Sequence, residues 1–332
     1  MKATAQAHSN IALTKYWGKR DKKWMLPNNG STSMTLDKFY TQTTVEFDEK
    51  YGTDEIILNG EKMAADSKEG KEIREHLDLI REMAGISTKT KVSSNNNFPT
   101  AAGLASSASG LAALSMAGAK AAGLNLDKKE LSILSRRGSG SASRSIEGGF
   151  VQWLRGEDSE GKDSFAEQIL KPEAWSEFRM IVNIVGTQQK KWKSRAGMAQ
   201  TVATCPYYPM WKETAQNDSE QMTEFIKQKD FTKVGELAEF NALKMHATMI
   251  TTQPMILYWQ PTTVEIMHNI ALWREEGLES YFTMDAGPQV KVMCLAKDES
   301  ELIKRLHEIK GIQKIEVCKP GPAAKIIEEH LF

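Results

Sequence analysis

The order of apolar and polar residues along the chain predicts a mixture of strands and helices. Residues 41–47 alternate between polar and apolar side chains, which is typical of a half-buried strand, and Asn59-Gly60 after the apolar run 55–58 is typical of a hairpin turn. Residues 71–83 repeat their apolar side chains every three or four positions, as one face of a helix does. Asp127 is a typical N-cap residue for a further helix.

The C-terminal part of the chain has longer periodic segments. The short, mainly apolar segment 178–185 predicts a strand covered on both faces. The segments after it are predicted as helices at 218–228, 231–245, 262–276 and 299–310, and as strands at 280–284, 289–295 and 312–317. At 332 residues the chain exceeds the usual size of one domain, so we predict two lobes, 1–187 and 188–332.

Composition excludes several classes of protein. The chain has 43 basic and 43 acidic residues, so its charge predicts neither a nucleic-acid partner nor an anionic membrane partner. The three cysteines are far apart, which argues against a disulfide framework or a zinc site and is typical of a reducing compartment. Residues 1–8 lack the apolar centre of a signal peptide, and no apolar run approaches the ~20 residues of a membrane-spanning helix. We therefore expect a cytoplasmic protein.

The segment 99–109, Pro-Thr-Ala-Ala-Gly-Leu-Ala-Ser-Ser-Ala-Ser, lies between a predicted strand at 88–94 and a predicted helix at 110–122. A turn of small residues that places a helix N-terminus directly after a strand offers free N–H groups and the helix dipole to an anion such as phosphate. No Gly-Lys-Ser/Thr closes this turn, so it is not a Walker sequence. The alternative is a helix start that only packs tightly.

Four other segments carry candidate chemistry. Residues 8–19 form a strand that ends in lysines and aromatic residues, 136–145 are rich in glycine, serine and arginine, 190–198 are basic, and Asp285 precedes a glycine-proline turn. The alternatives are solvated lysines, a flexible loop, a solvated basic face and an ordinary turn aspartate. No spacing of histidine, cysteine and carboxylate residues resembles a metal site, so a metal ion is expected only together with a nucleotide.

Taken in order, these segments resemble the diphosphomevalonate decarboxylases of the GHMP kinase superfamily. The turn at 99–109 is typical of the whole superfamily, whereas Tyr16-Trp17-Gly18-Lys19 together with Thr283-Met284-Asp285-Ala286-Gly287 is specific to the decarboxylases. The matching motifs extend from residue 7 to residue 292. The resemblance implies two α+β lobes of the GHMP kinase fold, with ATP and substrate in the cleft between them, and a homodimer.

The resemblance also implies a reaction. ATP phosphorylates the tertiary 3-hydroxyl of mevalonate 5-diphosphate, the new phosphate and carbon dioxide leave, and isopentenyl diphosphate remains. Asp285 matches the carboxylate that orients this hydroxyl and accepts its proton. Lys19 matches a lysine near that carboxylate, where it would keep Asp285 ionised and stabilise the transferring phosphoryl group. Arg144 matches the arginine whose fork binds the substrate carboxylate.

Further residues are implied to bind the two substrates. Ser139, Gly140 and Ser141 would surround the acid end of the substrate together with Arg144. The residues expected at its diphosphate are Tyr16, Lys19, Lys190, Ser194 and Arg195. Those expected at ATP are Asn95, Pro99, Ala102, Gly103, Leu104, Ala105, Ser106, Ser107 and Ser109, with Asn95, Asn96, Asn97 and Phe98 near the nucleoside. Mg²⁺ would accompany the ATP phosphates, with Ser106 as its hydroxyl ligand.

Several residues depart from the family pattern. Glu147 stands where relatives carry an aromatic residue, Lys193 and Ala196 replace a serine and an acid in the basic segment, and residues 28–33 also differ. The basic segment gains positive charge overall, which favours an anionic ligand. These departures put the specificity for the phosphate end in doubt more than the chemistry.

Three alternative functions stay open at this point. A phosphomevalonate decarboxylase would use the same residues on the 5-monophosphate and give isopentenyl phosphate. A 3-kinase would phosphorylate without losing carbon dioxide, and the presence of both Asp285 and Lys19 counts against it. A catalytically silent nucleotide-binding protein would not need Asp285 beside an intact phosphate turn.

Overall fold

A computed structural model describes residues 1–64, 66–98, 106–186 and 191–332. Its strands are β1 (Lys2–Ala12), β2 (Lys19–Asp21), β3 (Leu26–Pro27), β4 (Ser31–Phe47), β5 (Glu55–Leu58), β6 (Glu61–Lys62), β7 (Thr90–Asn96), β8 (Phe150–Trp153), β9 (Ala166–Leu170), β10 (Phe178–Ile184), β11 (Tyr281–Met284), β12 (Val290–Leu295), β13 (Lys314–Cys318) and β14 (Lys325–Ile327). Its helices are α1 (Lys68–Ala84), α2 (Ser106–Ala121), α3 (Lys128–Gly138), α4 (Ser194–Thr204), α5 (Tyr208–Gln228), α6 (Phe231–Ile250), α7 (Pro261–Glu275) and α8 (Glu299–Glu308). Short 3-10 helices span Gly140–Ile146 and Pro172–Trp175.

The first lobe is built on a sheet with the strand order β14-β1-β4-β7-β5-β6, to which β8 and β9 are added beside β4. Helix α2 packs against β1 and β4 through a face of small residues, including the fully buried Ala112, Ala113 and Ala117. Small side chains let the helix lie close to the sheet. The capping box of Asp127 and Glu130 begins α3, as predicted.

The second lobe has an antiparallel sheet with the order β11-β12-β10-β13. Its strand β10 is buried along its whole length and contributes alternate residues to two apolar clusters: Met180 and Val182 to one, Ile181 to the other. The prediction of a strand covered on both faces is confirmed. The cluster that contains Met180 also includes Ile11 and Met34 of the first lobe, so it joins the two sheets.

Three elements differ from the sequence prediction. β4 begins at Ser31, well before the predicted residue 41, and its first six residues, Ser-Thr-Ser-Met-Thr-Leu, are all buried, polar and apolar alike. α5 begins at Tyr208 rather than at residue 218, with Pro209 in its first turn and with Trp211 and Ala215 buried. The predicted loop 136–145 is instead the end of α3 followed by the 3-10 helix Gly140–Ile146, in which the Ser143 hydroxyl donates to the Gly140 carbonyl over 2.7 Å.

The mixed α+β, two-lobed fold is confirmed, but the sheets divide the chain earlier than predicted. β10 already pairs with β12 and β13, because its apolar residues belong to the second core, so the change of sheet falls between β9 and β10 rather than at residue 187. The chain then returns at its end, where β14 pairs with β1. We propose a boundary within 171–177, with the last strand assigned to the first lobe. No helix among the described residues is long and apolar enough to cross a membrane.

Candidate active site

A cavity of about 200 Å³ lies where the segment after β1, the 3-10 helix Gly140–Ile146, the N-terminus of α4 and the turn after β11 meet. It brings together nine of the residues predicted for substrate binding or catalysis: Tyr16, Lys19, Ser139, Gly140, Ser141, Arg144, Ser194, Arg195 and Asp285. Lys190 lies outside the described residues. Counting described residues alone, the lining includes four cationic side chains, with Lys15 as the fourth, and one carboxylate. Such a lining suits a ligand with several negative charges.

The segment after β1 is fixed by residues of both lobes. The Lys15 amide donates to Asn241 of α6 over 2.7 Å, and the Lys15 carbonyl accepts from Asn29 over 2.9 Å. Gly18 has φ near +111°, and a Cβ there would lie 1.5 Å from the Tyr208 hydroxyl, so only glycine fits. The lysines that follow β1 therefore have defined positions at the mouth of the cavity.

Asp285 follows β11 and pairs with two lysines. Its Oδ1 lies 3.0 Å from Lys15 Nζ and its Oδ2 lies 3.2 Å from Lys291 Nζ. Burial acts to raise the pKa of Asp285, but the two ammonium groups outweigh it and hold the pKa well below its usual range. Burial lowers the pKa of Lys15 to about 8, although Asp285 opposes the shift. Asp285 is therefore a carboxylate with a fixed orientation at neutral pH.

The expectation that Lys19 pairs with Asp285 was wrong. Lys15 occupies that position because its side chain turns back, so that Nζ also donates to the Ala12 carbonyl over 2.7 Å. Lys19 begins β2, where burial and the nearby Arg195 and Lys22 lower its pKa to about 8. It lines the same cavity and stays a candidate for binding the diphosphate.

Arg144 is a buried cation on the 3-10 helix Gly140–Ile146. Its Nε and Nη2 donate to Asn10 Oδ1 over 3.3 and 3.2 Å, and its Nη1 donates to Ser31. Burial lowers its pKa to about 10, opposed by Asp285. Within the described part of the chain it has no carboxylate at ion-pair distance. A buried guanidinium oriented by neutral groups is a ready partner for a ligand carboxylate.

The basic segment is a helix N-terminus whose charges are paired with α1. Lys193 Nζ lies 2.9 Å from Glu69 and Arg195 Nη1 lies 3.0 Å from Glu72, while Arg195 Nη2 donates to the Gly138 carbonyl over 2.6 Å. The paired side chains are about half exposed. These ion pairs therefore connect the two lobes at the edge of the cavity.

The buried Tyr16 hydroxyl borders the same cavity and has no hydrogen-bond partner among the described residues. Burial raises the pKa of Tyr16, so the group is a neutral donor. Its ring packs against Trp153 with centroids 4.8 Å apart. An unpartnered buried hydroxyl is suited to donate to a ligand oxygen.

A second cavity of about 350 Å³ lies on the other side of the α2 N-terminus. Its apolar part is formed by Leu58, Ile73, Val92, Leu111 and Leu114, and its polar part includes Ser94, Asn96, Ser106, Ser107, Lys68 and Glu72. Ser107, Ser194 and Arg195 line both cavities, so the two meet at this helix end. An apolar pocket that opens onto a helix N-terminus can hold a base and its phosphates.

The structure places the predicted ATP residues unevenly. Ser106 and Ser107 line the second cavity, whereas Pro99, Ala102, Gly103, Leu104 and Ala105 lie outside the described residues. Asn95 does not line this cavity, because successive side chains of a strand face opposite sides and β7 directs Ser94 and Asn96 into it; Asn96 was among the residues predicted near the nucleoside. Ser109 also lies outside the cavity lining, and its buried hydroxyl is hydrogen-bonded to Thr41 over 2.7 Å.

The neighbours of Asn95 have structural roles. The Asn97 side chain accepts from the Tyr40 amide over 2.8 Å and donates to the Lys38 carbonyl over 2.7 Å. Phe98 is buried against Phe39, with ring centroids 5.5 Å apart. Neither side chain lines the second cavity.

The departures from the family pattern have separate effects. Glu147 pairs with Lys128 over 2.7 Å on α3 and lines neither cavity, so it does not offset the positive charge near Arg195. Asn29, within the unusual segment 28–33, holds the Lys15 carbonyl. The first of these departures therefore lies outside both cavities, whereas the second supports the first cavity.

Sequence reasoning missed two side chains that contact Asp285. Lys291 is buried in β12, and a lysine within the apolar run 290–295 is a signal that could have indicated it. His246 of α6 donates from Nε2 to the Asp285 carbonyl over 3.1 Å and stacks on Trp259. Burial lowers the pKa of His246 to about 3, so it is neutral and fixes the backbone.

Comparison with known proteins agrees with this geometry. Residues 7–166 match the family model "Diphosphomevalonate decarboxylase-like N-terminal domain", and residues 180–326 match "Mevalonate 5-diphosphate decarboxylase C-terminal domain". The diphosphomevalonate decarboxylase of Candida albicans is 36% identical over 317 residues, covering 92% of this chain and 88% of the relative. The chain belongs to the diphosphomevalonate decarboxylase family.

Solved structures of diphosphomevalonate decarboxylases have the same fold. The Staphylococcus aureus enzyme superposes with a TM-score of 0.92 at 40% identity, covering 98% of each chain. A structure described as "MDDEF in complex with MVAPP, AMPPCP and Magnesium" superposes with a TM-score of 0.92 at 44% identity, covering 99% of each chain. The family resemblance and the GHMP kinase fold inferred from the sequence are confirmed.

Proposed function

We propose that this chain catalyses the ATP-dependent decarboxylation of mevalonate 5-diphosphate, giving isopentenyl diphosphate, ADP, phosphate and carbon dioxide. The observation that carries the proposal is Asp285, held between two lysines in a cavity with excess positive charge that meets a second cavity at a helix N-terminus. A kinase-like phosphate site beside an oriented carboxylate is what phosphorylation of a tertiary alcohol requires.

In this arrangement the substrate lies in the first cavity. Arg144 binds its carboxylate, with Ser139, Gly140 and Ser141 around it. Tyr16, Lys19, Ser194 and Arg195 bind its diphosphate. The 3-hydroxyl then faces Asp285, which accepts its hydrogen bond and directs the oxygen at the γ-phosphate of ATP.

The low pKa of Asp285 limits its role as a base. A carboxylate that binds a proton so weakly orients the hydroxyl first and receives the proton only as the oxygen–phosphorus bond forms. The C3–O bond then breaks, phosphate leaves, and the electrons of the bond to the carboxylate form the double bond as carbon dioxide departs. The neighbouring cations stabilise the negative charge on the leaving phosphate.

The second cavity is the proposed ATP site, with the phosphates at the N-terminus of α2. Mg²⁺ takes oxygen ligands, and the donors near this helix end are the hydroxyls of Ser106 and Ser107 and the carboxylates of Glu69 and Glu72, so the residues fit the ion. Ser106 is the proposed protein ligand. The bound ion supplies charge neutralisation for the phosphates.

The test is the release of carbon dioxide with ATP from mevalonate 5-diphosphate and, separately, from the 5-monophosphate. We expect ATP-dependent release with a higher kcat/KM for the diphosphate, because the lining offers more cations than a monophosphate needs. Faster turnover of the monophosphate would make the chain a phosphomevalonate decarboxylase. ADP formation without carbon dioxide would make it a kinase.

We also propose a homodimer in the cytoplasm. Exposed apolar side chains at Val202 on α4 and at Met255 and Leu257 after α6 offer a contact surface, since the two segments are joined by the hydrogen bond from Gln200 to the Gln253 carbonyl. Light scattering after size-exclusion chromatography tests the dimer. A mass of one chain at micromolar concentration would contradict it.

A further inference from the structure

Lys291 is an unusual residue for its position. It lies in β12 between Val290 and Val292, and only 1% of its side chain is exposed. Burying an ammonium group is costly unless an opposite charge compensates it. The compensation is Asp285, whose Oδ2 is 3.2 Å away, and Nζ also donates to the Gln289 carbonyl over 3.3 Å.

The two lysines reach Asp285 from different lobes. Lys15 follows β1 and contacts Oδ1, whereas Lys291 comes from β12 and contacts Oδ2. A single cation would leave the carboxylate free to turn about that contact. Two cations, one on each oxygen, fix the plane of the carboxylate and therefore the direction in which it can accept a hydrogen bond.

We propose that Lys291 is a positioning residue that acts through Asp285, holding its carboxylate plane in the orientation that receives the substrate hydroxyl. The inference rests on the function proposed above. Lys291 itself does not line the cavity, so it needs no contact with substrate or ATP to act.

The electrostatic surroundings give this role a measurable signature. The charged groups facing Asp285 are Lys15, Lys291 and Arg144, with neutral His246 on the side of α6. The charge of Lys291 acts to lower the pKa of Lys15, and Asp285 acts to raise it. Removing the charge of Lys291 therefore shifts the pKa of Lys15 upward, which a purely structural role would not do.

The experiment measures kcat, both KM values and the pH profile of kcat/KM for Lys291→Gln and Lys291→Arg. Lys291→Gln keeps a hydrogen-bond donor and loses the charge. We expect its kcat to fall about tenfold or more, because a misplacement of about 1 Å at the reacting groups costs up to about a hundredfold. Its KM values should stay within about threefold, and the alkaline decline of its pH profile should move to a pH about one unit higher. The pH profile of Lys291→Arg should decline at the same pH as that of the wild type.

Arg179→Met is the matched control. Arg179 is a buried cation on the adjacent strand β10, and its Nε lies 2.6 Å from a carboxylate oxygen of Glu299. This pair does not line the cavity. Its loss should lower the melting temperature and leave the pH profile unchanged. An unchanged kcat and pH limb in folded Lys291→Gln would overturn the inference.

A double-variant comparison covers the case in which Lys291→Gln fails to fold. Asp285→Asn with Lys291→Gln removes both charges of that pair and leaves one buried ammonium, Lys15, without its carboxylate, whereas Asp285→Asn alone leaves two. If Lys291 acts through Asp285, this double variant has the kcat of Asp285→Asn alone. A further loss of more than about threefold would show an independent role and overturn the inference. A wild-type protein that releases no carbon dioxide would contradict the proposed function as well. An active wild-type protein together with either of the overturning results, an unchanged Lys291→Gln or a further loss in the double variant, would contradict the inference alone.

Discussion

The two groups of ion pairs in the cleft differ in how they are built. Asp285 lies between two almost fully buried lysines, whereas Lys193 and Arg195 meet Glu69 and Glu72 at a half-exposed edge. Exposed pairs contribute only about 0–1 kcal/mol each, because water and salt screen them. Breaking a buried pair by removing one partner costs several kcal/mol. Asp285, the proposed catalytic carboxylate, is therefore fixed before substrate arrives, whereas Arg195, proposed to bind the diphosphate, can exchange one anionic partner for another.

Removing the carboxylate tests the buried group directly. Asp285→Asn keeps the shape but loses the charge, and we expect kcat to fall by at least about a hundredfold. Substrate affinity should change far less, because the amide still fills the same space. Single-turnover assays and substrate titrations measure the two effects, and near-normal turnover would remove Asp285 from the mechanism.

Arg144→Lys tests the other buried cation. The charge remains but the fork is lost, so kcat/KM for the diphosphate substrate should fall by about ten- to a hundredfold, as expected for one charged hydrogen bond. ATP affinity should be nearly unchanged, since Arg144 lines the first cavity but not the second. If ATP affinity fell while kcat/KM for the diphosphate substrate stayed unchanged, this arginine would belong to the nucleotide site.

Arg195→Ala tests the exposed edge and should have a smaller effect. Arg195 is 40% exposed and already paired with Glu72, so replacing Glu72 with the substrate diphosphate as its partner stabilises the complex by only about 1 kcal/mol. Arg195→Ala should therefore lower kcat/KM for the diphosphate about fivefold. The kcat/KM for the monophosphate should fall less, so the ratio of the two kcat/KM values should become smaller.

Glu72→Gln is the matched variant for Arg195→Ala. It releases Arg195 from its carboxylate, so it should raise affinity for the diphosphate where Arg195→Ala lowers it. A fall in affinity for both variants would contradict the idea that the substrate replaces Glu72 as the partner of Arg195.

The smallest expected effect is on the pH profile. The pKa of Lys15 is about 8, so this lysine is charged below that pH and neutral above it. We expect kcat/KM for the diphosphate substrate to decline as pH rises through about 8 and to halve there, because kcat/KM reports the ionisable groups of the free enzyme. The pKa of Lys19 is also about 8, so the profile is repeated in Lys19→Arg, whose charge is permanent. A limb that disappears in Lys19→Arg would belong to Lys19.

The sequence was sufficient to predict the fold family and most residues around the first cavity, because motifs that are far apart along the chain line the same cavity in this fold. It could not distinguish Lys15 from Lys19. The segment between β1 and β2 has no regular period, and its side-chain directions are set by Asn29, Asn241 and Tyr208 from distant parts of the chain.

The position of Asn95 outside the second cavity has a different cause. Strand β7 was predicted correctly as a strand, but which of its residues face the second cavity depends on its register against β4, where Ser94 pairs with Thr43. A shift by one residue reverses every side chain. Local patterns therefore predict that a strand exists, and long-range pairing decides what it presents.

The return of β14 to β1 has a mechanical consequence. The lobes are joined by two separate stretches of chain, one between β9 and β10 and one between β13 and β14. Gly321 anchors the second by donating to the Thr35 carbonyl over 2.7 Å, and a Cβ there would lie 2.4 Å from the backbone of Leu36. Cutting the chain after β13 would leave one covalent connection, and the lobes would then be held together by the shared apolar cluster and by the ion pairs at the edge of the cavity. The tail therefore adds a second covalent tie across an interface that is already packed.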